Sequence, residues 1–330
     1  GAAAPVATNA ITITGALAFA AVIGTRPTAS EVDGLLTSIL GWSTTLAVGA
    51  MAAIQLAGAR RAVPGLRFTP RWRHPAIREL RTVGGWTLLY VTVNQLGVAA
   101  VIALASDVDG GVSAYQWAFA VMQLPYAIIA VSLFSAAYPA LARLSPEDAD
   151  TRRAHIHRAA SSASVLLVPA AVTLVVAADE LAAIVVGPGD GRLVAAALVG
   201  FGVSLVPFSL FQLLTRASYA HGDARGPALV NIAVNATMLG VDAAVFTLVD
   251  DPSHLLTGLA AGHAASYVVG CGLLMWLLER KRAVVRLGWG SVLWRPVAAG
   301  VVMAGTLRWA VGGSPDTRAA ALMTALTAVL

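Results

Sequence analysis

The sequence predicts an all-α membrane protein with about ten transmembrane helices. Hydrophobic residues make up 58% of its 330 residues and charged residues only 12%, whereas charged residues make up about 25% of soluble domains. The apolar residues lie in long runs, and about 20 of them suffice to cross a bilayer as a helix. Basic residues collect in every second connection between these runs, which is typical of a chain that crosses a membrane repeatedly.

The hydrophobic pattern divides the chain into ten apolar segments. They cover residues 5–23, 35–57, 82–105, 113–141, 159–178, 193–219, 227–249, 255–278, 291–312 and 318–330. Proline, glycine or charged residues mark the breaks between them. The last segment would reach only about 20 Å into a hydrocarbon core of about 30 Å. We therefore expect the chain to be a piece of a longer protein, as the glycine at its first position also indicates.

The charges of the connections predict the orientation. Eighteen of the 22 basic residues fall in the even-numbered connections, which include Arg60, Arg61, Arg153 and Arg280. Basic connections stay on the cytoplasmic side, so residue 1 is predicted to be cytoplasmic and the protein to span the inner (cytoplasmic) membrane. The net charge of +5 is explained by these connections, and no nucleic-acid partner is expected.

The segment 227–249 carries a polar stripe. Asn231, Asn235 and Asp242 fall within about 40° of each other on a helix that turns by 100° per residue. Polar groups in hydrocarbon are costly unless they face protein or water. Hydrogen bonds between helices, worth about 0.6 kcal/mol per pair, would explain the amides. The formal charge of Asp242 favours the other reading, a hydrated pathway.

Two further segments carry polar residues that would meet this stripe. They are Thr87, Tyr90, Asn94 and Gln95 in segment 82–105, and Gln116 and Gln123 in segment 113–141. Pro125 lies near the middle of the second segment, where it removes a backbone hydrogen bond and clashes with the carbonyl of Val121. A kinked helix is expected there, either as a moving part or cavity wall or as an ordinary member of the helical core.

Other polar residues have plainer explanations. His263 precedes Ser266 and Tyr267 by three and four residues, so we expect a core histidine bonded to a neighbour, with a proton relay as the alternative. The acidic cluster at 147–150 and the glycine-rich stretch 187–191 are expected to be a solvated loop and a turn. The sequence contains no metal-ligand cluster, catalytic triad or phosphate loop.

Several motifs together resemble the lipid II flippase family (MurJ, also called MviN) of the multidrug/oligosaccharidyl-lipid/polysaccharide exporter superfamily. The motif MQLP at 122–125 and YPALARL at 138–144 carry the resemblance, which continues in VPFSLFQLLTRASYAHGDARGP at 206–227. Pro5 and Asn9 resemble the start of the family's fifth helix, and PGLR at 64–67 the loop after its sixth. The resemblance covers nearly the whole chain.

The resemblance implies part of a two-lobe flippase fold. Residues 1–63 would be the last two helices of the N-lobe, 64–81 a basic cytoplasmic loop, and 82–282 a six-helix C-lobe. Residues 283–330 would form an extra helix pair with a groove for a polyprenyl tail, its last helix cut short. The first four N-lobe helices would precede residue 1, so the chain alone is expected to bind a polyprenyl lipid without flipping it.

The resemblance also implies a substrate pathway through the lobe. Its candidate residues are Asn94, Gln95, Gln116, Gln123, Pro125, Asn231 and Arg216. The family usually has a basic residue just before the MQLP motif, but residues 117–121 contain none. Arg216 matches the family's loop arginine, for which a positioning role is expected. Asn235 and Asp242 are the candidate ligands of a coupling cation, sodium or proton; no other cofactor is expected.

The implied function is translocation of a polyprenyl-pyrophosphate-linked peptidoglycan precursor, lipid II, by alternating access and without chemistry on the substrate. The expected partners are this glycolipid, membrane lipids and proteins of cell-wall synthesis. Two alternatives stay open: an exporter of another lipid-linked oligosaccharide, and a non-transporting membrane scaffold for cell-wall synthesis. A membrane glycosyltransferase would need catalytic carboxylates at the membrane face, and only Glu147, Asp148 and Asp150 are candidates.

Overall fold

The structure, a computed structural model, describes residues 3–23, 34–63, 75–145, 148–187, 191–281 and 288–311. Its α-helices are α1 (Ala3–Ile23), α2 (Gly34–Ala62), α3 (Pro75–Ala105), α4 (Gly111–Pro125), α5 (Ser132–Ala142), α6 (Ala149–Val176), α7 (Ala178–Val186), α8 (Arg192–Ala220), α9 (Arg225–Leu248), α10 (Pro252–Arg280) and α11 (Trp289–Val311). Within these residues, seven helical spans are long and apolar enough to cross a membrane, and Val6–Val22 and Val292–Thr306 are shorter apolar helices. The predicted all-α membrane fold is confirmed.

Nine of the ten predicted segments are helical in the described part of the chain. The tenth, 318–330, and most of the predicted loop 64–81 lie outside the described residues. The helices differ from the predicted segments mainly at their polar ends. α3 begins at Pro75 and α6 at Ala149, earlier than the predicted starts at 82 and 159. Hydropathy marks only the part of a helix that lies in hydrocarbon and misses the turns that lie among headgroups or in water.

The chain divides into two compact units, Gly1–His74 and Pro75–Leu330. In the first unit α1 packs against α2. A Cβ at Gly15 would overlap the side chain of Ser43, so glycine is required there for the two helices to approach each other closely.

The second unit is built around α8, which packs against α10, α6, α4 and α7. Most of the side chains of α8 are buried, among them Phe201, Leu205 and Phe211. A helix that is apolar on all sides is buried on all sides. α9 packs between α3 and α10, and α11 packs on α6.

The contact between α8 and α10 is close because small residues line it. A Cβ at Gly200 would overlap the Thr257 carbonyl oxygen. The hydroxyl of Ser204 donates to the Ala260 carbonyl at 2.8 Å, and the hydroxyl of Thr257 donates to the Ala196 carbonyl at 2.8 Å. Small residues and hydroxyl hydrogen bonds hold membrane helices together where hydrophobicity alone gives no driving force.

A six-residue π-helical turn, Tyr126–Val131, joins α4 to α5 directly after Pro125. The predicted irregularity at Pro125 therefore takes the form of a π turn. Proline cannot donate the backbone hydrogen bond that an α-helix needs, and a π turn is one way in which a helix accommodates this loss. The two halves form one apolar span, Gly111–Ala142.

Candidate functional site

Of the two asparagines of the predicted stripe, Asn231 is hydrogen-bonded to α3 and Asn235 to its own helix, α9. Both are buried. The side-chain nitrogen of Asn231 donates to the Tyr90 carbonyl at 3.0 Å, and that of Asn235 donates to the Asn231 carbonyl at 2.9 Å. A Cβ at Gly97 would overlap the side-chain oxygen of Asn235. The Asn231 bond is thus a hydrogen bond between helices, whereas the Asn235 bond lies within α9.

Asp242 differs from the two asparagines. Its side chain is fully buried, and neither carboxylate oxygen has a hydrogen-bond partner among the described residues. The carboxylate lies against Gly262 of α10, where a Cβ would overlap it. A buried charge without a partner is among the costliest groups in a protein. Asp242 therefore needs a charge-compensating partner or a proton.

The structure does not bring Asn235 and Asp242 together. They are seven residues apart on α9, a rise of about 10.5 Å, and their oxygens face different helices, α3 and α10. The residues that the structure describes include no group of three or more histidine, cysteine, aspartate or glutamate side chains able to hold a metal ion. A bound metal ion needs several oxygen ligands around it, and a cation site at Asn235 and Asp242 stays a prediction.

A cavity of about 340 Å³ opens where α3 ends and α4 begins. It is lined by Val98, Val101, Ile102, Tyr115, Gln116, Phe119, Met238 and His263, and we call it the α3–α4 cavity. The Tyr115 hydroxyl and His263 Nδ1 are 3.3 Å apart, so the predicted core histidine is indeed hydrogen-bonded. Its partners are the Tyr115 hydroxyl of α4 and the Leu259 backbone of α10, not the side chains of Ser266 or Tyr267. Tyr115 is also close enough to Asp242 to interact electrostatically.

Arg216 lies near the last turn of α8, among aromatic side chains. Its guanidinium carbon is 5.6 Å from the ring centroid of Phe134, and it interacts electrostatically with Tyr126. Its Nη1 atom is buried without a hydrogen-bond partner, and Arg216 forms no ion pair, within the described part of the chain. The Tyr126 ring packs on Phe208 at 4.7 Å between centroids.

Arg216 and Asp242 lie at different depths in the predicted membrane. Arg216 is four residues from the end of α8, whereas Asp242 is 17 residues from the start of α9, and a short turn joins these two antiparallel helices. With a rise of 1.5 Å per residue the two charges differ in depth by about 20 Å. Arg216 thus lies near one face of the predicted membrane and the buried Asp242 nearer the other.

The remaining predicted pathway residues differ in their exposure. Gln116 lines the α3–α4 cavity, and Gln95 is exposed on α3, while Asn94, Gln123 and Pro125 are half-buried. Sequence analysis missed the contribution of Tyr115. A polar residue at the start of a predicted span gives no signal by itself, because its partner, His263, is 148 residues away.

An all-helical fold with several apolar spans and with charged groups buried inside the lobe defines a polytopic membrane protein. The model of the family "Lipid II flippase MurJ" matches residues 1–316. The chain therefore belongs to the lipid II flippase family.

Relatives with curated names agree with this assignment. A probable lipid II flippase from Rhizobium tropici is 29% identical over 218 residues, which are 62% of this chain and 40% of that protein. The lipid II flippase of Burkholderia cenocepacia is 27% identical over 290 residues, 82% of this chain and 54% of the relative. The chain spans about half the length of the curated relatives that it matches.

A solved structure shares the fold. A lipid II flippase in an inward closed conformation superposes with a TM-score of 0.72 over 99% of this chain and 65% of that chain, at 13% sequence identity. The likeness extends over nearly the whole chain and confirms the predicted flippase fold.

Proposed function

We propose that this chain belongs to a protein that translocates lipid II, a polyprenyl-pyrophosphate-linked peptidoglycan precursor, across the cytoplasmic membrane by alternating access. The family match over residues 1–316 supports the class of substrate. The observation that carries the proposal is the Nη1 atom of Arg216, which is buried in a spanning helix without a hydrogen-bond partner among the described residues. A flippase for an anionic lipid needs such a cation, whereas a scaffold does not. Transport requires no catalytic residue, and we assign none.

We assign Arg216 as a contact for the pyrophosphate. A charged side chain within a membrane span is costly unless it meets an opposite charge, and guanidinium groups bind phosphate oxygens through several donors at once. Residues 117–121 lack the basic residue that the family usually has before the MQLP motif. Arg216, half-buried in a spanning helix, is the candidate that we propose in its place.

Binding of polyprenyl pyrophosphate to the purified protein tests this role. Replacing a hydrogen-bonding charged side chain removes about 1.5–3 kcal/mol, so Arg216→Gln should weaken binding about 10- to 100-fold. Arg216→Lys keeps the charge and should lose less. Arg225→Gln is the matched control, because the Arg225 guanidinium also stacks on an aromatic ring, that of Trp86 at 5.5 Å, but is exposed. Equal affinity of the Arg216→Gln variant and the native protein would exclude the role.

The polyprenyl tail has a candidate groove between α6, α8 and α11. This groove, of about 300 Å³, is lined almost entirely by apolar residues, including Val168, Val172, Val206, Leu293 and Val297. A Cβ at Gly300 would lie 2.6 Å from Val168 Cγ1, so α11 comes close to α6 there. The expected tail groove at residues 291–330 lies only partly within the described residues. Polyprenyl alcohol, which lacks the pyrophosphate, should bind the native and Arg216→Gln proteins equally.

We place the coupling cation at Asp242 and infer that it is a proton. A proton needs one carboxylate, whereas sodium needs several oxygen ligands, and Asn235 faces a different helix. Asp242→Asn keeps the size of the side chain and removes the charge. In the full-length protein reconstituted into liposomes, this variant should fold but lose the dependence of export on the pH gradient. Export that keeps the native pH-gradient dependence in the variant would return Asp242 to a purely structural role.

The proposed orientation places residue 1 and the basic connections in the cytoplasm. Single cysteines at Arg153 and Asp109, in a Cys271→Ser background, should be labelled by impermeant reagents from opposite sides of the membrane. Labelling from the same side would refute the orientation.

Proteins of cell-wall synthesis remain predicted partners of this protein.

A further inference from the structure

The face of α6 that looks away from the lobe is basic at its start. A pocket of about 510 Å³ is lined by Arg153, Ala154, His157, Arg158, Ser161 and Ser162. Arg153 and Arg158 are exposed. At 100° per residue these two arginines lie on either side of Ala154, so a small side chain forms the floor of the pocket and cationic chains form its rim. We call these residues the basic face.

This face lies where phospholipid headgroups meet the protein. α6 is a 28-residue span, Ala149–Val176. It is about 42 Å long and therefore about 12 Å longer than a hydrocarbon core. All the charged residues of this span lie in its first ten residues. The excess length therefore belongs to the start of α6, and the basic face lies in the interfacial layer.

Along this face, charged, hydroxyl and apolar side chains follow one another in the same order as the phosphate, glycerol and acyl parts of a phospholipid. Arg153, His157 and Arg158 come first, the hydroxyls of Ser161 and Ser162 follow, and Val165, which is 56% exposed, comes next. This order matches a phosphate, the polar glycerol region and an acyl chain. Arg158 and Val165 are seven residues apart, which places them on the same side of the helix, about 10.5 Å apart along its axis.

A neighbouring arginine shows what an inward-facing cation does at this depth. Arg152 is 1% exposed and its Nη2 donates to the Ser145 carbonyl at 2.8 Å. Arg152 is buried in the interior of the lobe, whereas the side chains of Arg153 and Arg158 are exposed on its surface. Cationic pockets at the cytoplasmic ends of membrane helices bind anionic lipid headgroups.

We propose that the basic face of α6 is a binding site for an anionic phospholipid of the membrane in which the protein lies. The site is separate from the proposed flippase pathway, and its test needs no transport. The ligand is recognised by its phosphate together with a net negative charge, so phosphatidylglycerol should bind and zwitterionic phosphatidylcholine should not.

Thermal unfolding of the purified protein in mixed micelles measures this binding. Phosphatidylglycerol should raise the unfolding temperature of the native protein in a saturable manner, and the same amount of phosphatidylcholine should not. Each arginine near an anionic lipid surface contributes about fivefold in affinity, so Arg153→Gln/Arg158→Gln should raise the half-saturating concentration about 25-fold. Inorganic phosphate and soluble polyglutamate should not reproduce the stabilisation.

The matched control is Arg60→Gln/Arg61→Gln, which removes two exposed arginines from the end of α2. It should change the half-saturating concentration by less than about twofold, since its arginines line no part of the basic face. A second variant, Ala154→Leu, fills the floor of the pocket without changing the charge and should also weaken binding. The proposal is overturned if both double variants lose affinity equally, if Ala154→Leu binds like the native protein, or if polyglutamate stabilises as well as the lipid.

Discussion

Gly200 is a position at which a single added methyl group should destabilise the lobe. A Cβ there would lie 2.7 Å from Ala260 Cβ and 2.8 Å from the Ala261 nitrogen, and would overlap the Thr257 carbonyl. Two of these three neighbours are backbone atoms, which cannot rotate away. α8 and α10 would have to separate, and the hydrogen bond from Ser204 to the Ala260 carbonyl would lengthen.

The magnitude follows from two opposing effects. Overpacking a tight contact costs about 1–3 kcal/mol, whereas replacing glycine by alanine inside a helix contributes about 0.5–1 kcal/mol. The net loss for Gly200→Ala is therefore at most about 2.5 kcal/mol, which lowers the unfolding temperature by up to about 10 °C in a unit of this size.

Gly240→Ala is the control, because a Cβ at Gly240 would meet nothing within 4 Å. This variant keeps the helix-forming gain without the clash and should unfold at a slightly higher temperature than the native protein. Thermal unfolding of the three purified proteins in one detergent, followed by intrinsic fluorescence or light scattering, gives the comparison. If both variants shift in the same direction by similar amounts, close backbone approach at Gly200 does not hold α8 to α10.

Three further predictions concern the connections between helices. Asp223 accepts hydrogen bonds from both Lys281 Nζ and the Gly226 backbone. In chemical unfolding, Asp223→Ala should therefore lower the free energy of unfolding by about 1–2 kcal/mol, and Lys281→Ala by less than about 1 kcal/mol. Equal losses in the two variants would contradict a contribution from the backbone hydrogen bond. The backbone amide of His254 donates to Asp251 at the start of α10 and lowers the pKa of that carboxyl group. Asp251→Ala should therefore lower the unfolding temperature at pH 7, and the difference between variant and native protein should shrink as the pH falls below 3.8. A difference that stays constant with pH would refute this prediction. Burial lowers the pKa of His221 below 6.5, so its protonation opposes folding, and His221→Gln should reduce the loss of stability between pH 7 and 5; an unchanged pH profile would count against this.

The hydrophobic runs were sufficient to predict the helices of the lobe, because a spanning helix must be apolar over most of its length. They ended the fifth segment at 178, next to Asp179 and Glu180, and so did not predict the short helix α7, Ala178–Val186, that follows the break in α6 at Ala177. A nine-residue helix that begins with two acidic residues is too short and too polar at its start to be recognised as a membrane span. α7 packs against α8.

The polar residues were predicted less completely than the helices. Helical spacing correctly placed Asn231, Asn235 and Asp242 on one buried stripe, but spacing cannot supply partners from another helix. The acceptor for Asn231 is a backbone carbonyl, that of Tyr90, and every residue type carries such a group. The lack of a described partner for Asp242 is likewise a property of its three-dimensional surroundings.

The π turn at Tyr126–Val131 sets the rotation of α5 relative to α4 in the middle of a membrane span. A π turn contains one more residue than the α-helical register allows, and each residue of an α-helix turns the chain by about 100°. If this turn relaxed to α-helix while α4 stayed fixed, α5 would swing by that angle about its own axis and shift along it by about 1.5 Å. Phe134, on which the Arg216 guanidinium stacks, would leave that cation on such a rotation. One peptide unit could thus decide whether the charge is covered by an aromatic ring or free to meet an anion.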